Sequence, residues 1–190
     1  MRKPVFGAAL IAASAMLASP AAATFLEITV AGEASGIVTI DLYEQVAPAH
    51  VAQITKLAAE GAYDNVVFHR VIDGFMAQTG DVQFGKMGAE GFSMQMAGRG
   101  GSQYDDLPAE FSNVSFDRGV VGMARSQDPN SANSQFFIMF APAPHLDGQY
   151  TVVGEVVDGM TVVDAIKRGT GPNGAVIGQP DVMVSVKVSD

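Results

Sequence analysis

Short apolar and β-branched runs recur along the chain, several of them alternating with polar positions. Residues 25–30 (Phe-Leu-Glu-Ile-Thr-Val) and 36–42 (Gly-Ile-Val-Thr-Ile-Asp-Leu) flank a Gly-bounded turn at 32–36 and predict a hairpin. Similar runs at 66–70, 75–79, 120–124, 136–140, 150–157 and 182–188 bring the strand expectation to about eight. Two segments carry helical spacing instead. In 48–60, Val51, Ile54, Leu57 and Ala58 share one face, Pro48 suits the first turn and Gly61 the stop. In 160–167, Val162, Val163 and Ile166 lie on one side and Gly169 ends the segment. Many strands with two helices predict a mainly β, antiparallel barrel or sandwich. Residues 85–103, rich in Gly and Met and without period, predict a long surface loop of the kind that often carries function.

The beginning of the chain has a different character. Arg2 and Lys3 precede an almost wholly apolar stretch at 5–18, followed by Pro20 and Ala21-Ala22-Ala23. This predicts a secretory signal peptide over 1–23, cut after Ala23, with one folded domain over 24–190. The apolar run, about 14 residues, is short of the roughly 20 needed to span a bilayer. Removing Arg2 and Lys3 would leave nine basic against 20 acidic residues, a net charge of −11 in place of −9 for the whole chain. Such a charge excludes nucleic acid as a natural partner. The chain has no Cys, so neither a disulfide nor a lipidated cysteine is available. An export signal without disulfides predicts the periplasm, with no stable membrane association.

Candidate chemistry concentrates in three places. Residues 68–81 (Phe-His-Arg-Val-Ile-Asp-Gly-Phe-Met-Ala-Gln-Thr-Gly-Asp) bring together one guanidinium (Arg70), two large apolar side chains (Phe75, Met76) and one amide (Gln78). That mix suits a neutral, partly hydrophobic ligand with one polar atom to be met. Residues 123–140 contain a polar loop and then a strand in which Gln135, Phe137 and Met139 share one face and Phe136, Ile138 and Phe140 the other. The third place is a turn, His145-Leu146-Asp147-Gly148-Gln149-Tyr150.

These three motifs, in this order and spacing, resemble the cyclophilins, a family of peptidyl-prolyl isomerases, and the likeness covers the chain from Thr24 onward. The resemblance implies an eight-stranded antiparallel β-barrel capped by two α-helices and a cofactor-free isomerase acting on proline-containing peptides and unfolded exported proteins. It implies that Arg70 is the catalytic guanidinium. Phe75, Met76, Phe137 and Leu146 would line the proline pocket, with Gln78 and Gln135 holding the substrate backbone. Ala124 and Arg125 would lie along the groove, and Tyr150 would close the pocket. Two positions depart from many eukaryotic members: His145 stands in place of a Trp associated with cyclosporin binding, and Tyr150 in place of a His. Arg125 replaces a common Asn.

Other features compete poorly. His50, His69 and His145 lack metal-ligand spacing, and His69 is read as structural. The literal G-x-G-x-x-G at 169–174 follows a helix and contains Pro172, so it is read as a loop. Asp105-Asp106 is read as an exposed turn, and Met87, Met94 and Met96 as loop packing rather than a copper site. The alternatives to an isomerase are a non-catalytic peptide-binding or chaperone module using the same groove, and a barrel that carries a small molecule. A monomer meets every requirement of the isomerase reading.

Overall fold

The computed structural model describes residues 23–189; the expected signal segment lies outside them apart from Ala23. Strands β1 (Thr24–Ala31) and β2 (Gly36–Leu42) form the expected antiparallel hairpin, pairing Ile28 with Val38 and Leu26 with Ile40. Alternation decides which side chains go in: Leu26, Ile28 and Val30 are buried, while Glu27 and Thr29 face water. Helix α1 (Pro48–Ala59) buries Val51, Ile54, Leu57 and Ala58 as its spacing requires. Its C-terminus closes with Gly61 at φ 66, where Ala62 N–H donates to Leu57 O and Gly61 N–H to Ala58 O. This is a Schellman stop, and the left-handed residue it needs is supplied without a Cβ penalty.

Strands β3 (Val66–Val67), β4 (Arg70–Ile72), β5 (Met76–Thr79), β6 (Val120–Met123), β7 (Phe136–Met139), β8 (Val152–Asp158) and β9 (Val182–Ser189) complete one antiparallel sheet. Its order is β3-β9-β1-β2-β8-β6-β7-β5-β4. Helix α2 (Met160–Ala165) follows β8. The mainly β fold with two helices is thus as expected, but the closed eight-stranded barrel is not: nine strands form a curled sheet, a half-barrel.

The reason lies in residues 66–70, expected as one strand. The chain breaks at Phe68–His69, where Phe68 N–H donates to Asp181 O beside β9 and His69 N–H to Gln78 O on β5. The two halves therefore pair with opposite ends of the sheet, and covalent chain joins the edges where a hydrogen-bonded ladder was expected. Both edges are covered. Val67 N–H donates to Gly85 O in the long 85–103 loop, while Gly169 N–H and Val176 N–H donate to Val71 O and His69 O along β4. Covering an edge in this way removes a template for unwanted pairing.

The faces divide the apolar residues into two clusters. Val71, Ala77, Val121, Phe136, Ile138 and Val153 join the main core with the residues of β1, β2 and α1. Their strand neighbours Met76, Val120, Phe137, Met139 and Val152 point the other way and form a second cluster with Phe116, Ala143 and Leu146. Among the described residues the main core is built of buried side chains from both the sheet and α1, a packed interior of the kind small barrels have, which weighs against the small-molecule carrier reading.

A buried carboxylate ties the sequence-distant parts together. Asp181 is 1% exposed; one oxygen accepts from Ala34 N–H at 2.8 Å and the other from Lys167 N–H at 2.6 Å. Asp181→Ala would strand both donors, so it should lower unfolding stability by about 2–4 kcal/mol. Urea denaturation of the purified variant measures the loss.

Candidate active site

A single cross-strand row builds the centre of the site. Arg70 on β4 sits opposite Gln78 on β5, Gln78 opposite Phe137 on β7, and Phe137 opposite Gly122 on β6. Residues paired in this way present their side chains to the same face. The adjacent row on that face is Ile72, Met76 and Met139. Gly122 must be small, because a Cβ there would stand 2.6 Å from both Phe116 and Phe137. Phe116 stacks on Phe137 with ring centres 5.8 Å apart, and the Tyr150 ring meets Phe137 edge-on at 5.9 Å.

Arg70 is held on two sides. Its Nη1 donates to Gln78 Oε1 at 3.0 Å, its Nε to Asn173 O at 3.0 Å and its Nη2 to Asn173 Oδ1 at 3.2 Å. Three of the five guanidinium N–H groups are thus committed, and two remain. Gln78 Nε2 donates onward to Gln135 Oε1 at 3.0 Å, and Gln135 Nε2 to Gly100 O at 2.7 Å. Asp81 fixes that last segment, since its Oδ2 accepts from Gly98 N–H at 2.7 Å and Gly100 N–H at 2.9 Å while its Oδ1 accepts from Gln83 and Phe84 N–H. Burial lowers the Arg70 pKa from its ordinary value, with Tyr150 opposing; a guanidinium remains charged regardless.

A cavity of about 310 Å³ lies in front of this row. Arg70, Phe75, Met76, Gln78, Ala124, Arg125, Phe137, His145, Leu146 and Tyr150 line it. Every residue singled out in the sequence is therefore brought together except Gln135. That amide lines a neighbouring cavity of about 380 Å³, which shares Gln78, Ala124 and Arg125 with the first. Met76, Phe137 and Leu146 form the floor and are buried. The ring of His145 stacks on Phe75 at 5.8 Å, and a one-turn 3-10 helix, Pro144–Leu146, presents both His145 and Leu146. Arg125 lies over the Tyr150 ring at 4.3 Å and donates to Ser126 O and Gln149 O, both at 2.9 Å.

Two contributors escaped sequence reading. Asn173, in the loop that mimicked a nucleotide-binding motif, clamps Arg70 from the far side of β4; it adopts φ 56, a left-handed position Asn tolerates. Its one sequence signal was the Pro-Asn-Gly turn triplet. Phe116 supports the pocket floor from an irregular segment without periodicity. His69 is buried and does not line the pocket that Arg70 borders. Among the described residues no group of three or more His, Cys, Asp or Glu could hold a metal.

Burial drives the His69 pKa from 6.5 down to about 4, with the Asp81 carboxylate opposing and the Arg70 charge adding to the fall. The ring stays neutral while the unfolded chain takes up a proton below about pH 6.5. The unfolded state then binds more protons, so the His69 contribution to stability is fully present above pH 6.5 and declines towards pH 4. The loss amounts to up to about 3 kcal/mol at 1.36 kcal/mol per pH unit. Urea unfolding between pH 7 and pH 4.5 should show the decline, and the His69 NMR resonances should stay those of a neutral ring from pH 7 down to about pH 5, well below the usual midpoint near 6.5.

Residues 25–188 match the family model for cyclophilin type peptidyl-prolyl cis-trans isomerase/CLD. A probable peptidyl-prolyl cis-trans isomerase of Brucella suis biovar 1 (strain 1330) is 53% identical over 189 residues, covering 99% of this chain and 96% of its own length. Among solved structures, a cyclophilin from Hirschia baltica is similar at TM-score 0.67 and 26% identity, over 85% of this chain and 72% of that one. A cyclophilin type isomerase from Cryptosporidium parvum shares the fold at TM-score 0.73 and 24% identity, over 89% of this chain and 99% of that one. By the family-model match over nearly all of the described residues, the chain belongs to the cyclophilin-type peptidyl-prolyl cis–trans isomerase family.

Proposed function

We propose that this chain is a periplasmic peptidyl-prolyl cis–trans isomerase that assists the folding of exported proteins. One observation carries the catalytic part: Arg70 is clamped between Gln78 and Asn173 beside an apolar pocket, with two N–H donors free. An amide C–N bond resists rotation by about 18–20 kcal/mol because of resonance. An X-Pro bond therefore isomerises unaided in tens to roughly hundreds of seconds. Twisting the bond breaks the resonance, and the proline nitrogen becomes pyramidal with a lone pair. Arg70 donates to that lone pair, an interaction available in the twisted state and absent in the planar one. Differential binding of this kind lowers the barrier. Phe75, Met76, Phe137 and Leu146 hold the proline ring. Gln78, Gln135 and the backbone at Ala124 hold the substrate chain, while Arg125, His145 and Tyr150 form the rim. No proton or covalent bond is exchanged, and the site needs neither metal nor nucleophile. A fixed planar donor suits Arg better than Lys.

Arg70→Ala should lower kcat/KM on a short X-Pro peptide by about 10- to 100-fold, the value of a charge-assisted hydrogen bond of roughly 1.5–3 kcal/mol. Protease-free NMR exchange measures the rate, and circular dichroism checks the fold. Wild-type turnover by a folded Arg70→Ala protein would refute the role given to Arg70. Wild-type protein that binds the peptide without accelerating exchange would point to a binding or chaperone module.

The periplasmic assignment rests on the basic start, the apolar 5–18 run and the Ala21–Ala23 site, together with the lack of Cys. It gains support from β1, which starts at Thr24, whose N–H donates to Glu44 Oε1 at 3.1 Å. Cleavage after Ala23 would turn that N–H into an ammonium facing a carboxylate. Among the described residues no helix is long and apolar enough to cross a membrane. Intact mass of protein recovered from the periplasm of the native host should begin at Thr24. Full-length protein starting at Met1 in the cytosol would rule the assignment out.

A further inference from the structure

Charge is distributed unevenly over this acidic chain. Among the described residues, Arg118 pairs with Asp164 and Arg168 with Asp73. The three remaining arginines, Arg70, Arg99 and Arg125, have no carboxylate partner within 4.0 Å, and all three border the site cavities. Arg99 and Arg125 line the 380 Å³ cavity. Arg125 is the residue common to both cavities whose charge is held by neutral groups alone: two backbone carbonyls and the Tyr150 ring. Its Nε is buried without a partner. The wall also carries a carboxylate, Asp106, which accepts from Asn133 Nδ2 at 2.9 Å. With 20 acidic residues in the chain, two guanidinium groups left unpaired around one concave surface call for an anion from outside.

Resting on the isomerase reading above, we propose that Arg125 and Arg99 make the second cavity an acidic-residue subsite, so that the enzyme prefers prolines flanked closely by Glu or Asp. A chain with its proline in the apolar pocket passes over Ala124 and Arg125 to reach that cavity. One residue of extended chain advances about 3.3–3.6 Å, so the selected side chain lies within about three residues of the proline. Arg99 is exposed and Arg125 partly so, and screening limits the gain to a modest factor.

The test uses peptides of one scaffold bearing Glu, Gln or Lys at each of the three positions on either side of the proline, with an all-Ala peptide as reference. For the wild-type protein, kcat/KM by NMR exchange should fall in the order Glu, Gln, Lys at one position at least. A Glu-to-Gln ratio of about twofold to fivefold is expected, shrinking at 0.5 M salt. Arg125→Gln should bring that ratio close to one and Arg125→Lys should preserve it; Arg99→Gln should reduce it. Equal rates for Glu and Gln at every position would overturn the proposal, as would a ratio unchanged by both Arg125→Gln and Arg99→Gln. The salt dependence and the Arg99→Gln variant decide the matter even where Arg125→Gln disturbs the Tyr150 rim. Failure of the wild-type protein to isomerise the all-Ala peptide, or any other, would strike at the isomerase reading instead.

Discussion

The direction of one hydrogen-bond chain organises the site. Arg70 can only donate, so the amide facing it must present oxygen, and Gln78 Oε1 does. Gln78 must then give its nitrogen to the next partner, Gln135 must accept through oxygen, and its own nitrogen must find an acceptor, which is Gly100 O. A permanent cation at one end thus orients two amides in succession, a choice the amides could not make alone. At the other end the backbone of 98–100 is pinned by the buried Asp81 carboxylate. The requirement is strict enough to fix a residue identity: a Cβ at Gly100 would stand 2.5 Å from Asp81 Oδ1. The long loop is therefore part of the machinery that aims Arg70, although it touches the proline pocket at no point.

The sheet separates stability from chemistry. Along β7, Phe136 and Ile138 belong to the main core, whereas Phe137 and Met139 belong to the cluster beneath the site. The same alternation on β5 sends Ala77 inward and Met76 outward. Main-core packing from β1, β2, α1 and β9 makes no use of pocket residues. The pocket floor has its own support in Phe116, and Gly122 provides the space that support needs. A protein without disulfides can thus keep a partly open apolar pocket, because the core that holds the fold together lies on the opposite face.

Local patterns in the sequence disclosed what local physics decides. Alternation marked the β1–β2 hairpin, the spacing of Val51, Ile54, Leu57 and Ala58 marked α1, and Gly61 marked its end. The site residues were legible because Arg70, Phe75, Met76 and Gln78 are close in sequence, and the family resemblance joined them to Phe137, Leu146 and Tyr150. What stayed hidden depends on contacts between distant segments. The break at Phe68–His69 arises because Val66–Val67 and Arg70–Ile72 pair with different strands, and nothing in those five residues announces two partners. Asn173 lies 103 residues from Arg70. The start of α1 shows the same principle: no side chain of its own caps the helix, and Glu110 from a remote segment accepts from Ala49 N–H, His50 N–H and His50 Nδ1 instead. Burial pushes the Glu110 carboxyl up, but those donors outweigh it and hold its pKa below the ordinary value.

Neutrality of the nearest titratable ring completes the logic of the site. His69 adjoins Arg70 in sequence and is buried behind it; protonated, it would place a second charge beside the guanidinium in a poorly solvated setting. Burial and the Arg70 charge both oppose that protonation, with Asp81 pulling the other way. The balance leaves Arg70, held by Gln78 and Asn173, as the charged group on this row of the sheet. Rotation about an amide moves no proton, and a site for it gains nothing from groups that titrate near neutrality. Over an acidic chain, the guanidinium groups of Arg70, Arg99 and Arg125, none with a carboxylate within 4.0 Å, stand around the two adjoining cavities, with Asp106 as the carboxylate in their lining.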